Sequence, residues 1–266
     1  MALKAVVFDW AGTMIDFGSR APIGAFVEAF GHFGVALTIA EVRGPMGRTK
    51  RDHIAELLAL PRIAGAWAKA QGRGPAEADI DRVYAVFMPA SVKAAADFAD
   101  LVPGAAMIVK ALRARGLKIG STTGYGREVM APILPLAAAQ GYQPDTLVCA
   151  GDLHEGRPSP LMMYRCFADL GVYPPGAVVK VDDTVPGIEE GLAAGTWTVG
   201  IAASGNETGL SLAEWTALTP AERERVLIPA REKLEAAGAH VVIDTVANLM
   251  PVIESIDRLM AEGEIP

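Results

Sequence analysis

Six short apolar runs punctuate the chain: AVVFDW (5–10), LKIGSTTG (117–124), TLVCAGD (146–152), AVVKVDD (177–183), TWTVGI (196–201) and HVVID (240–244). They are rich in Val, Ile and Thr and lack a polar alternation, the pattern of strands buried on both faces. Helical patterns lie between them. PGAAMIVKALRARG (103–116) opens on Pro and closes on Gly, and SPLMMYRCFADLG (159–171) also closes on Gly. This alternation predicts βαβ units and an α/β fold with a parallel sheet. From Gly18 to about Asp100 the rhythm stops, and only helical patterns such as APIGAFVEAFGHFG and KRDHIAELLAL remain. The interval predicts a helical insert after the first strand, with QGRGP (71–75) as a loop inside it and linkers near 17–20 and 98–104. Residues 1–17 and 101–266 then form the core domain and 18–100 the insert. Residues 211–237 read as charged helix with a solvated face.

Composition narrows the classes of function. The 266 residues are 51% hydrophobic and 21% charged, with a net charge of −7 and 24 scattered basic residues. No basic stripe offers a footprint for a phosphate backbone, so nucleic acid is not an expected partner. Cys149 and Cys166 sit in apolar surroundings, which indicates neither a disulfide framework nor a zinc site and fits a reducing cytoplasm. MALKAVVFDW reaches an acid within its apolar run, and no uncharged stretch approaches ~18–20 residues, so neither a signal peptide nor a membrane span is expected.

Ligands of an open parallel sheet bind outside the carboxyl ends of its strands. Here those ends carry Asp9, Thr122, Thr123, Asp152, Asp182 and Asp183. Carboxylates gathered at one rim repel one another unless a cation lies between them, and oxygen-only ligands suit Mg²⁺. The first end, FDWAGT (8–13), places Ala11 two residues after Asp9, where a phosphoryl-transfer site would usually carry a second acid.

DWAGT (9–13), STTG (121–124), Arg157 in GRPSP and VDDT (181–184) together resemble the four signatures of the haloacid dehalogenase superfamily. With GPMGRTKRDHI (44–54), KVDDT (180–184) and AGTWTVG (194–200) added, the chain resembles the phosphonoacetaldehyde hydrolase family over essentially its whole length. The resemblance implies a Rossmann-like doubly wound parallel sheet with a helical cap domain inserted after the first strand. It also implies hydrolysis of the carbon–phosphorus bond of phosphonoacetaldehyde to acetaldehyde and phosphate, in 2-aminoethylphosphonate degradation, by a cytoplasmic homodimer. By the same resemblance Asp9 is the nucleophile that forms an aspartyl phosphate and Lys50 forms a Schiff base with the aldehyde. His53, on the same helix face, could transfer protons. Thr123 and Arg157 match phosphate-holding positions, Met46 and Gly47 match insert positions that close over the substrate, and Tyr125 lies just past the second strand. Mg²⁺ is expected on Asp9, the Ala11 backbone carbonyl and Asp183, with Asp182 as an outer carboxylate.

That chemistry accounts for Ala11. A phosphatase of this superfamily uses the acid two residues after its nucleophile to protonate a departing alkoxide. A phosphonate has no bridging oxygen to protonate, and a protonated imine β to phosphorus accepts the electrons of the breaking bond instead. To condense, Lys50 must be partly neutral, which burial and nearby cations favour; Arg48 and Arg51 are candidates. Two departures stand out. Gly187 occupies a position that is acidic in some relatives, and Ser19 one that is cysteine in some. Three alternatives stay open: a sugar-phosphate phosphatase or mutase, which Ala11 disfavours; a binding protein that has lost its acid; and a haloacid dehalogenase, which has little use for the Asp182–Asp183 pair.

Overall fold

The computed structural model describes residues 2–266. Every predicted strand forms: β1 (Ala5–Phe8), β2 (Lys118–Thr123), β3 (Thr146–Cys149), β4 (Val178–Asp182), β5 (Trp197–Ile201) and β6 (Val241–Ile243). They make one parallel sheet in the order β3-β2-β1-β4-β5-β6. The helices are α1 (Ala21–His32), α2 (Ile39–Arg43), α3 (Lys50–Ala59), α4 (Pro61–Gln71), α5 (Glu77–Asp97), α6 (Ala105–Ala114), α7 (Arg127–Ala139), α8 (Leu161–Leu170), α9 (Val185–Ala193), α10 (Leu212–Ala217), α11 (Pro220–Ala236) and α12 (Leu249–Ala261). Among the described residues, none is long and apolar enough to cross a membrane.

Alternation along β1 shows why its run is apolar throughout. Val6 and Phe8 join a cluster with Ile108 of α6, Ile133 of α7 and Ile253 of α12, while Ala5 and Val7 join Met163 and Cys166 of α8 on the opposite face. Both faces are covered, so every strand position must be apolar until the chain leaves the sheet. The fold is therefore a doubly wound α/β sheet.

Register then delivers the polar residues to one place. Phe8 pairs with Ser121 of β2 on one side and Val181 of β4 on the other. The next residues, Asp9, Thr122 and Asp182, emerge side by side where the strand order reverses, the crevice in which such sheets bind ligands.

Helices α1 to α5 lie between β1 and β2 in the chain and enclose their own apolar cluster, including Phe26, Phe30, Leu57, Trp67 and Phe87. The QGRGP stretch separates α4 from α5, with Gly72 at φ +73° ending α4. The Thr49 side chain accepts a hydrogen bond from Asp52 N, a cap that starts α3 at Lys50. This helical block meets the core closely at two glycines. A Cβ on Gly47, whose φ is +92°, would lie 2.3 Å from Thr184 Oγ1, and one on Gly124 would lie 2.9 Å from the Arg48 carbonyl oxygen. Only glycine permits both approaches.

Phe87 is fully buried and stacks on Phe26 at 4.4 Å, so it supports the ring that lies beside Lys50 and His53. Phe87→Ala should destabilise the helical block by about 3–5 kcal/mol in urea unfolding followed by tryptophan fluorescence. A loss below about 1 kcal/mol would mean that this cluster is not the block's core.

Candidate active site

Asp9 leaves β1 buried, with one oxygen 2.8 Å from Arg157 Nη1. Burial raises its pKa to about 6, helped by Asp182 and opposed by Arg157 and Lys180. Asp183 accepts from Thr13 Oγ1 at 3.0 Å and from the Asn206 backbone N–H at 2.8 Å. Burial first, then Asp9 and Asp182, push its carboxyl well above the usual range.

Asp182 faces the other way. Its Oδ1 accepts from the N–H and hydroxyl of Thr184, at 3.0 and 2.8 Å, and its Oδ2 lies 3.0 Å from Lys180 Nζ and 3.2 Å from Arg157 Nη2. Burial opposes ionisation, but Arg157 and Lys180 outweigh it and hold this carboxyl below the usual range. Oδ1 is thus hydrogen-bonded, while Oδ2 is held by the two ion pairs alone. Gly187 follows from this placement: a Cβ there would lie 2.0 Å from the Asp182 carboxylate, which fills the space a side chain at 187 would need.

A fourth buried acid completes the cluster. Glu190 Oε2 accepts from Thr122 Oγ1 at 2.9 Å and from Arg157 Nε at 3.0 Å, and lies 3.1 Å from Lys180 Nζ. Arg157 Nη2 also donates to the Thr122 carbonyl at 2.8 Å. The guanidinium is thus held on several sides; burial disfavours its charge, but Asp182, Glu190 and Asp9 more than restore it. Strand alternation separates the two threonines: Thr122 turns into this network, while Thr123 lines the cavity above.

Four buried carboxylates, Asp9, Asp182, Asp183 and Glu190, thus face two buried cations, Arg157 and Lys180. Lys50, buried across the cavity above, adds a third cation and still leaves negative charge in excess, which a divalent cation would offset. Oxygens of Asp9, Asp182 and Asp183 lie within 4.8 Å of one another, which fits such an ion. Asp182 is paired with both Arg157 and Lys180, whereas Asp9 is paired with one of them and Asp183 with none among the described residues, so Asp9 and Asp183 are the carboxylates whose charge is left to hold it; Ala11 lines the same cavity as Asp9.

The helical block supplies the opposite wall with Met46, Gly47 and Lys50, facing Asp9, Ala11, Thr123, Tyr125 and Arg157 across a cavity of about 20 Å³, room for about one water. Ser19 also lines it. Lys50 is buried, 5.1 Å from the Tyr125 ring centroid and 5.9 Å from that of Phe26. It makes no ion pair or hydrogen bond among the described residues. Burial lowers its pKa to about 8; Arg157 acts in the same direction and Asp9 opposes.

Several expectations change here. Arg48 and Arg51 do not act on Lys50: Arg48 pairs with Glu56 at 2.6 Å, Arg51 with Glu77 and Asp81, and the cation that counts is Arg157. Asp152 does not join the rim, because β3 is the sheet's edge and Asp152 turns back to pair with Arg127 at 2.7 Å. His53 lies on the Lys50 side of α3 but outside the cavity wall, stacked 4.0 Å from Phe26 with no hydrogen bond to either ring nitrogen. Burial and then Lys50 hold its pKa well below the usual imidazole range, against the Val42 backbone. Glu190 escaped notice in the sequence, although two acids inside the apolar helix PGIEEGLA offered a signal. Lys180 had one too, as a charge within AVVKVDD. Neither cysteine is activated; burial pushes Cys149 up to about 11 and Cys166 to about 12.

The family profile of haloacid dehalogenase-like hydrolases matches residues 3–195. A phosphonoacetaldehyde hydrolase of Paraburkholderia phytofirmans is 55% identical over 264 residues, covering 99% of each chain. One from Hahella chejuensis is 47% identical over 99% of this chain and 90% of its own. The crystal structure of a phosphonoacetaldehyde hydrolase-like protein from Oleispira antarctica superposes with a TM-score of 0.99 at 45% identity, covering 100% of this chain and 96% of that one. A β-phosphoglucomutase from Clostridium difficile, at 15% identity, shares the fold alone, with a TM-score of 0.67 over 98% of this chain and 99% of its own.

If the excess charge is what a cation balances, Mg²⁺ or Mn²⁺ at about 100 times its Kd should stabilise chelator-treated protein by about 2.7 kcal/mol in thermal unfolding. Asp183→Asn removes one of the repelling charges. It should raise the melting temperature of the metal-free protein and abolish the cation's effect; an undiminished effect would place the ion elsewhere.

Proposed function

The chain belongs to the haloacid dehalogenase-like hydrolases, and from that membership we propose that it hydrolyses the carbon–phosphorus bond of phosphonoacetaldehyde, giving acetaldehyde and phosphate. The observation that carries the reading is Lys50: a buried, unpaired amine, with its pKa lowered to about 8, in one cavity with a carboxylate, Asp9, that has no acid two residues on.

Lys50 Nζ adds to the aldehyde carbon, water leaves, and a protonated imine forms. The site then holds a positive nitrogen two bonds from the carbon attached to phosphorus. Asp9 attacks phosphorus, the carbon–phosphorus bond breaks, and its electrons pass to the imine nitrogen, leaving an enamine on Lys50 and an aspartyl phosphate on Asp9. Protonation and hydrolysis of the enamine return the lysine and acetaldehyde. Water cleaves the acyl phosphate and restores Asp9. Arg157 and Thr123 face the position the phosphonate oxygens must take. Mg²⁺, held by Asp9, the Ala11 carbonyl and Asp183, supplies positive charge that offsets repulsion between the Asp9 carboxylate and an anionic substrate. Asp182 and Glu190 fix Arg157 from below. His53, dry and neutral, serves as packing behind Lys50; any part in proton transfer would need water to reach it.

In this reading residues 18–100 act as a cap over a core of residues 1–17 and 101–266. A cavity of about 20 Å³ is smaller than the substrate, so the cap opens to admit it. The reaction suits cytoplasmic breakdown of 2-aminoethylphosphonate by a homodimer. Phosphate and acetaldehyde released from phosphonoacetaldehyde in equal amounts test the activity itself.

The imine is reducible to a secondary amine. Borohydride with acetaldehyde should therefore add mass at Lys50, with a yield that rises as pH passes about 8, because the neutral fraction grows above the lysine's pKa. Lys50→Arg should give no adduct and no turnover, since a guanidinium stays protonated. Mapping the adduct to Lys180 would sink the assignment.

Ala11→Asp separates this chemistry from that of a phosphatase. A carboxyl at position 11 has no oxygen leaving group to protonate, so turnover of phosphonoacetaldehyde should stay level or fall. A large gain would mark Ala11 as a defect.

A further inference from the structure

Arg43 ends α2 in the helical block, yet its guanidinium hydrogen-bonds only Gly18, where the block joins the core, and the core residues Asn206 and Gly209. Nη1 donates to the Gly18 carbonyl at 3.1 Å, the Asn206 carbonyl at 2.7 Å and Asn206 Oδ1 at 3.1 Å, while Nη2 donates to the Gly209 carbonyl at 3.2 Å. Asn206 Nδ2 returns a bond to the Arg43 carbonyl at 3.2 Å. Among the described residues, no carboxylate lies within ion-pair distance of it. Glycine at 209 makes room, because a Cβ there would lie 2.3 Å from the guanidinium carbon. A half-buried cation bound by carbonyls of residues 18, 206 and 209 is satisfied only while all three stand in this arrangement, and a buried charge that loses such partners is left unsatisfied.

The loop it holds also reaches the reaction centre. Asn206 N–H donates to Asp183, Ser204 Oγ donates to the Gly12 carbonyl at 2.7 Å, and the Ser204 carbonyl accepts from Gly18 N–H at 2.7 Å. One side chain on the cap thus grips the hinge at residue 18 and the loop that orients Asp183 and the nucleophile's turn.

We propose that Arg43 is the latch of the closed cap, a positioning residue that aligns the 204–209 loop, and through it Asp183 and the Gly12 turn, only while the cap sits on the core. This rests on the cap role given above and adds to it the device that couples closure to the site. The fork of the guanidinium is essential, since it reaches Asn206 and Gly209 at once; a lysine ammonium in its place cannot span both.

Hydrogen–deuterium exchange of the intact protein tests it without any chemistry. Arg43→Ala should speed exchange about tenfold or more at residues 16–20 and 204–210, as losing about 1.4 kcal/mol of closure requires, while β6 and α12 stay as in the wild type. Arg43→Lys should match Arg43→Ala. A second measurement reads Lys50, which spends more time in water when the cap loosens. The pH midpoint of acetaldehyde–borohydride labelling should move up in both variants, from about 8 toward the ordinary lysine value. Should Arg43→Ala fail to fold, Asn206→Ala removes two of the five bonds, keeps the backbone N–H on Asp183, and should raise exchange in the same segments. Wild-type exchange and labelling in the variants would overturn the latch, and so would wild-type behaviour of Arg43→Lys alone. If the wild-type protein gives no Lys50 adduct, the imine reading fails, and the exchange data still decide on the latch.

Discussion

The arrangement turns on charge held out of water. Four carboxylates and two cations lie buried within a few ångströms of one another at the switch point of the sheet, where desolvating each ion costs several kcal/mol unless partners compensate. Arg157 is the piece that makes this tolerable, touching Asp9, Asp182 and Glu190 at once. Because Glu190, Thr122 and Asp182 fix the guanidinium, its direction toward Asp9 is set before any substrate arrives, and that preorganisation is where a fixed charge is most useful. The network also sorts the acids. Asp182 is held ionised and fully engaged, while Asp9 and Asp183 are left in excess.

Lys50 shows the opposite use of burial. A lysine placed among Phe26, Tyr125 and the seam with the core loses hydration without gaining a carboxylate partner, and its proton becomes easy to lose. The helical block therefore contributes an environment as much as a side chain. Phe26 and Phe87 stack beneath, and the neutral His53 fills the space behind. Each is remote from the reacting atoms, yet each keeps water from the amine.

Much of this was legible in the chain. Apolar runs ending in Asp or Thr gave all six strands, because a sheet covered on both faces leaves no other way to write a strand. The long gap before the second run gave the helical block. Asp9, Lys50, Thr123, Arg157 and Asp183 came into view because each sits in a short stretch that resembles a family signature, and the first four line one cavity. What could not be read depends on contacts across the fold. Asp152 ends a strand like the others, but the order of strands puts that strand at the edge. Arg48 and Arg51 neighbour Lys50 in sequence and pair elsewhere, whereas Asp9 and Arg157, far from it in the chain, are the charges it feels. Lys180 and Glu190 looked like stray charges in apolar segments, and only the pairing of β4 with α9 joins them. Gly187, a departure from the acid some relatives carry there, is explained by the Asp182 carboxylate, which occupies the space its side chain would need.

The glycine seam has a consequence for the range of molecules the site can hold. Gly124 meets the Arg48 carbonyl main chain to main chain, and Gly47 is pressed against the Thr184 side chain, so the depth to which the helical block descends is a mechanical stop with little room for adjustment. A bulkier reactant can gain room only from the few walls that are side chains, chiefly Met46, Pro22 and Ser19. Variation in the size of what is accepted is therefore confined to those three positions, while the stop itself tolerates almost no change.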